Sequence, residues 1–178
     1  MIYGKRLRLR APEREDILRF TQWLNDPQVR AGLTIYLPLS ISSEERWFEN
    51  MLASPAAEQP LVIEVKDGSI WLPIGNCGLH NIDWRNRSTE AGIFIGEVKR
   101  WNQGFGTEAM QLLLAHGFET LNLHRIALRV YENNPGAIRS YEKAGFTVEG
   151  RQRQAEFQGG KYWDVILMSV LHSEWAAK

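Results

Sequence analysis

The stretch Glu90-Ala-Gly-Ile-Phe-Ile-Gly-Glu-Val-Lys-Arg-Trp-Asn-Gln-Gly-Phe-Gly-Thr-Glu108 holds three pieces in succession. An apolar strand, Gly92 to Ile95, leads into a polar loop with Asn102, Gln103, Gly104 and Gly106, and a helix opens at Thr107. Glycine lets a backbone bend sharply and approach a ligand with no side chain in the way. A helix beginning there turns its first free N–H groups and the positive end of its dipole back on the loop. Together the pieces make a cradle for a phosphate or pyrophosphate. The first expectation is therefore a phosphorylated ligand held by this segment.

Toward the C-terminus, the helix Thr107 to Leu121 carries Ala109, Leu112, Leu113, His116 and Gly117 on one face, and Ile126 to Val130 is the next strand. Strand, helix and strand form a parallel crossover. Pro135 opens a helix to Ala144, Gly145 ends it in a left-handed conformation, and Phe146–Gly150 and Lys161–Leu171 are antiparallel strands around Gly159-Gly160. Toward the N-terminus, Ile2 to Arg10 reads as one strand with leucines and arginines alternating. A helix from Pro12 is stopped by Asn25-Asp26-Pro27, and Ser42 with Glu45 forms a capping box for a second helix. Leu61–Val65 and Ile70–Leu79 make a hairpin about Asp67-Gly68. The fold class is α/β (α+β): a mixed sheet, mostly antiparallel, with a parallel βαβ crossover at its centre.

At 178 residues the chain, 1–178, is expected to be a single domain. Lys and Arg number 21, as do Asp and Glu, so no global field recruits nucleic acid or an anionic membrane. No apolar run approaches the length of a membrane span, and the N-terminus lacks a signal-peptide core. The single cysteine, Cys77, admits no internal disulfide and reads as a core residue. No His/Asp/Glu group has metal-ligand spacing, so no metal is expected. These features suit a cytoplasmic protein. Exposed sheet edges are compatible with a homodimer, and the sequence does not fix the oligomeric state.

The loop alone admits a rival reading, because Gly104-x-Gly106-x-x-Ala109 satisfies the dinucleotide fingerprint and Glu132 lies near the place of a ribose-binding acid. Against it, the seven residues Glu97 to Gln103 separate the strand from Gly104, and the remaining chain is too short for a second half-sheet.

The stretch Asn134-Pro-Gly-Ala137-Ile-Arg-Ser-Tyr141-Glu-Lys-Ala-Gly145-Phe146 resembles the C-terminal signature of the GNAT acyltransferase superfamily, which uses acetyl-CoA. Asn134, Ala137, Tyr141, Gly145 and Phe146 match that signature, and Trp101 to Ala109 looks like the family's CoA pyrophosphate loop. Many relatives have Arg or Gln where this chain has Trp101; tryptophan is familiar there among RimJ/RimL-like N-terminal acetyltransferases and spermidine acetyltransferases. The resemblance covers roughly Gly75 to Leu171. It implies a GNAT-like sheet with a splayed strand pair, helices on both faces, and acetyl transfer by direct attack of an amine.

By the same resemblance, the pantetheine arm enters between strands Gly92–Ile95 and Ile126–Val130. A backbone N–H among Ile95, Glu97 and Val98 would bond the thioester oxyanion. Main-chain N–H groups of Gln103, Gly104, Phe105, Gly106 and Thr107 would hold the pyrophosphate, and Asn134 would orient the pantetheine. Tyr141 would donate its phenolic proton to the departing sulfur. The structural alternative for Tyr141 is a ring packed on the sheet, since it shares a helical face with Ile138.

The general base is left among Glu90, Glu97 and His80, with Glu90 preferred and unaided loss of the amine proton through water also open. Arg129 occupies a position that carries the base in some relatives, and it cannot serve. Peptide N-termini, polyamines and small-molecule amines are all admitted as acceptors. Of the other classes considered, a CoA-binding module without catalysis would keep the phosphate loop and lack a productive amine site.

Overall fold

The protein is a computed structural model describing residues 1–177. Its strands are β1 (Ile2–Tyr3), β2 (Leu7–Arg10), β3 (Leu61–Asp67), β4 (Ile70–Asp83), β5 (Ser88–Ile95), β6 (Arg125–Tyr131), β7 (Thr147–Gln158) and β8 (Lys161–Leu171). They form one sheet in the order β1-β2-β3-β4-β5-β6-β8-β7, in which β5–β6 is the parallel pair and every other neighbour is antiparallel. The mixed, mostly antiparallel sheet with a central crossover is thus as the sequence indicates.

The residues from Ile2 to Arg10 are not one strand. The Gly4 N–H donates to the Leu7 carbonyl at 2.8 Å, and β1 folds back on β2 with Ile2 opposite Leu9. Alternation in a short run cannot reveal such a turn, because both arms keep the same period.

Side chains alternate across each strand, so the sheet has two covered faces. On one face Val62 and Phe94 meet Phe20, Trp23 and Trp47, which belong to α1 (Asp16–Asn25) and α3 (Ile41–Ala53). Between these helices runs the short α2 (Pro27–Arg30). The capping box of α3 is Ser40 with Ser43, not Ser42 with Glu45: the Ser43 N–H donates to Ser40 Oγ at 3.1 Å and the Ser40 N–H to Ser43 Oγ at 2.9 Å. A serine hydroxyl at N3 accepts as a glutamate would, so the box closed two residues earlier.

On the other face Leu7, Leu9, Ile63, Val65, Ile126 and Leu128 pack on Ala109, Met110, Leu113 and Leu114 of α4 (Phe105–Ala115). α4 starts two residues before Thr107 and gives way to a π turn, His116–Thr120. Beside it lies α5 (Pro135–Ala144), ended by Gly145 at φ 118°. The final α6 (His172–Ala176) escaped the sequence reading; its Trp175 stacks on Phe118 with ring centroids 5.6 Å apart.

A nearly buried ion network joins three elements. Arg10 bonds Asp16 of α1 through both terminal nitrogens at 2.6 and 2.8 Å, and Glu64 of β3 through Nε at 2.8 Å; Arg8 takes the other Glu64 oxygen at 2.6 Å. At the sheet's far edge β7 carries Glu149, Arg151, Arg153 and Glu156 and two register irregularities. Charges and bulges on an edge strand block pairing with another sheet.

Candidate active site

β5 and β6 pair at Ser88–Arg125, Thr89–Ile126 and Glu90–Ala127. Beyond that point β5 stays with β4 as far as Ile95 while β6 stays with β8 as far as Tyr131, so the two strands part. A groove of about 1000 Å³ fills the fork. It opens on both faces of the sheet, because its wall includes Tyr141 of α5 on one side and Glu90, Arg129 and Tyr131 on the other.

The backbone at the fork has a definite polarity. The N–H groups of Gly96 and Glu97 both donate to the Ile74 carbonyl, at 2.8 and 3.1 Å, which closes β5 with a bulge. In a trans peptide N–H and C=O point oppositely, so the Ile95 carbonyl faces the fork, away from β4. The Phe94 carbonyl lies toward β4, where a Cβ on Gly75 would collide with it, which turns the Ile95 N–H into the fork as well. Of the amides proposed for the oxyanion, Glu97's is therefore already committed, and neither Glu97 nor Val98 lines the groove.

A short 3-10 turn, Val98–Arg100, then carries the chain to α4. Asn102 and Gly104 have φ of 59° and 81°, and Gly104 stands at the N-cap with no side chain to bond the helix's first amides. The N–H groups of Phe105, Gly106 and Thr107 are thus left to an external anion, the arrangement that favours a phosphate. Gly104, Phe105, Gly106 and Thr107 all line the groove; Gln103 does not, its side chain bonding the Lys99 carbonyl at 2.7 Å. Arg6, delivered by the β1–β2 turn, holds the loop from outside. It bonds the Gln103 carbonyl at 3.0 Å and Glu108 at 2.8 Å, with its guanidinium 4.6 Å from the Phe105 ring centre. Thr107 Oγ1 meets Ser140 Oγ at 2.9 Å, tying α4 to α5.

Because L-residues pay about 1–2 kcal/mol in the left-handed region, Gly104→Val is expected to weaken CoA binding roughly tenfold or more. Isothermal titration with CoA checks this, and an unchanged affinity would remove the loop's shape from binding.

Tyr141 packs edge-on to Phe146, with centroids 6.0 Å apart, and burial pushes its hydroxyl up to about 12. Asn134 has a structural duty that its sequence position hid: its Oδ1 accepts from the Ala137 N–H at 3.1 Å and caps α5. Glu90 stands at the last paired rung of β5 and β6, opposite His80 of β4, and both line the groove.

Of the groove residues that the sequence reading did not assign, three bear on the chemistry. Tyr131 is buried, its hydroxyl pushed up to about 12 by that burial and secondarily by the charge of Glu156. Glu156 reaches the groove from a bulge in β7, where Gln154 has φ of 50° and its N–H bonds Asp164 at 2.8 Å. No sequence signal marks such a bulge. The third, Trp101, drew notice for its type and not for its contact. Among the described residues no group of three or more His, Cys, Asp or Glu side chains could hold a metal ion, and no helix is long and apolar enough to cross a membrane.

A forked parallel pair beside an uncapped helix N-terminus is the arrangement that the resemblance to the GNAT acyltransferases implies. Residues 6–147 match the acetyltransferase (GNAT) domain model, and the chain belongs to the GNAT family. It is an N-acetyltransferase, with acetyl-CoA as donor and an amine as acceptor. The chain is 33% identical to an uncharacterized N-acetyltransferase p20 of Bacillus licheniformis, over 98% of each chain. It is 33% identical to the spermidine N(1)-acetyltransferase of Vibrio cholerae, over 97% of this chain and 96% of that one. The crystal structure of spermidine N-acetyltransferase from Vibrio cholerae in complex with CoA and spermine superposes with a TM-score of 0.88 at 29% identity, covering 97% of this chain and 99% of that one. The family match begins at residue 6, well upstream of the Gly75 limit that the motifs alone supported.

Proposed function

We propose that the protein is a cytoplasmic acetyltransferase of flexible cationic amines, of which polyamines are the leading class. The observation that carries this is the placing of two carboxylates, Glu90 and Glu156, against the one arginine Arg129 on the groove wall on the face away from α4 and α5. A chain with 21 basic and 21 acidic residues has no overall field to draw a cation, so a local acidic pair must do it. The spermidine acetyltransferase relatives support the same class.

In this reading CoA enters from the α4–α5 face. The amides of Phe105, Gly106 and Thr107 hold its pyrophosphate, Gly104 shapes the loop, and the Ile95 N–H donates to the thioester carbonyl. The amine enters from the opposite face. Glu90, at the root of the fork, accepts its proton directly or through a water held with His80. Tyr141 donates a hydrogen bond to the leaving sulfur. With its hydroxyl pushed to about 12, above the range of a free thiol, complete transfer to the thiolate is uphill. Its contribution is therefore the hydrogen bond to developing charge, and solvent completes protonation.

Steady-state assays with spermidine and with a peptide bearing a free N-terminus test the acceptor. We expect turnover of spermidine, with Glu156→Gln raising its KM about tenfold and leaving the KM for acetyl-CoA alone. Turnover of the peptide without the polyamine would overturn the reading and favour the kind of acceptor implied by a putative ribosomal N-acetyltransferase of Bacillus subtilis, 26% identical to this chain.

A further inference from the structure

Parting β5 from β6 beyond Glu90 leaves one edge of β5 without a strand beside it, and both polar groups of Ile95 point from that edge. Backbone groups withdrawn from water need partners. The N–H is the donor assigned above to the thioester carbonyl, and this inference rests on that assignment. The carbonyl has its own partner: the indole Nε1 of Trp101 donates to it at 2.8 Å.

We propose that Trp101 is a positioning residue for acetyl transfer, its indole N–H occupying the Ile95 carbonyl so that Ile95 presents only its N–H donor to the thioester. Two physical effects follow from that bond. The peptide between Ile95 and Gly96 is gripped at both ends, its N–H by the Ile74 carbonyl at 2.8 Å and its C=O by the indole. The orientation of Ile95, and with it the direction of its own N–H, is then set before any ligand arrives. Preorganised donors stabilise an oxyanion without reorganisation during the reaction. In addition, a bare carbonyl beside the thioester oxygen would set one acceptor against another; the indole proton removes that repulsion.

The chain is built to bring the ring there. In the 3-10 turn the Arg100 N–H bonds the Glu97 carbonyl at 2.9 Å and the Trp101 N–H bonds the Val98 carbonyl at 3.0 Å, which curls the backbone so that the side chain reaches back six residues. Trp101 is 37% exposed and lines the groove. Among large aromatic side chains tryptophan alone carries an N–H donor on its ring system, whereas phenylalanine offers the same packing without it.

The test uses Trp101→Phe and, at the same position, benzothienylalanine, which keeps the indole's shape and replaces only the N–H with sulfur. Three quantities are read: the infrared carbonyl band of carbon-13-labelled acetyl-CoA bound without acceptor, kcat, and the calorimetric Kd for CoA. For the wild type the band should lie below that of free acetyl-CoA. In both variants it should move back toward the free value, kcat should fall about tenfold and the CoA Kd should change less than about twofold. A merely structural indole would lower coenzyme affinity and leave the band displaced. Variants that keep the wild-type band and kcat would overturn the role of Trp101 while sparing that of the Ile95 N–H. A wild-type band that is not displaced would remove the Ile95 assignment and this inference together. Should Trp101→Phe fail to fold, the isosteric residue decides the matter.

Discussion

Tyr141→Phe is expected to lower kcat about 100-fold, the lower end of what losing one preorganised donor to developing charge costs, with CoA affinity nearly unchanged. The ring's packing against Phe146 survives the change, since only the hydroxyl is removed. What is lost is a donor present at every working pH. Burial raises the phenol to about 12, so its proton stays on as the pH rises past the point, near pH 10, at which an ordinary phenol loses it. The wild-type rate should accordingly show no alkaline fall from Tyr141 below about pH 12. Single-turnover rates across pH, read beside calorimetric CoA binding, check both halves. A variant as fast as the wild type would return Tyr141 to a packing role.

The largest effect on stability should come from Arg10→Ala. Removing the guanidinium leaves Asp16 without its counter-ion and Glu64 with Arg8 alone, their side chains being 7% and 6% exposed. Breaking a buried pair from one side costs about 3–5 kcal/mol, a large share of the 5–15 kcal/mol that holds a typical domain. Arg8, on the other Glu64 oxygen, offsets part of this for Glu64 and nothing for Asp16. Arg14→Ala is the contrast: its pair with Glu49 leaves both side chains more than half exposed, so the change should be close to neutral. Urea unfolding of the two variants makes the comparison, and equal losses would show that the network is no more than a surface arrangement.

The sequence made the centre of the fold legible because local rules govern it. A strand, a glycine loop and a helix start lie within the nineteen residues Glu90 to Glu108, and Pro135 and Gly145 bound α5 as their chemistry requires. The glycine loop and the helix start were accordingly readable. The reading failed where a residue's role depends on a distant partner. Arg6 looked like a solvated strand residue, yet it holds a carbonyl 97 positions away. Glu97 and Val98 lie close in sequence to the proposed oxyanion donor, but the bulge onto Ile74 turns Glu97's amide elsewhere. Glu156 faces the groove through a register slip that periodicity does not encode. Asn134 matched its motif, and the bond it makes is a helix cap.

The β7–β8 hairpin touches the segment after α2 through one side chain: Gln158 Nε2 bonds the carbonyls of Arg30 and Leu33 at 3.2 and 3.4 Å. In the proposed placement these two surface segments flank the mouth opposite the coenzyme, while the coenzyme end is set by β5, α4 and α5. On that reading substrate preference and donor use reside in different pieces of chain. Selection, or an engineer, can recut the first by grafting two loops from a relative, leaving the transfer machinery as it is.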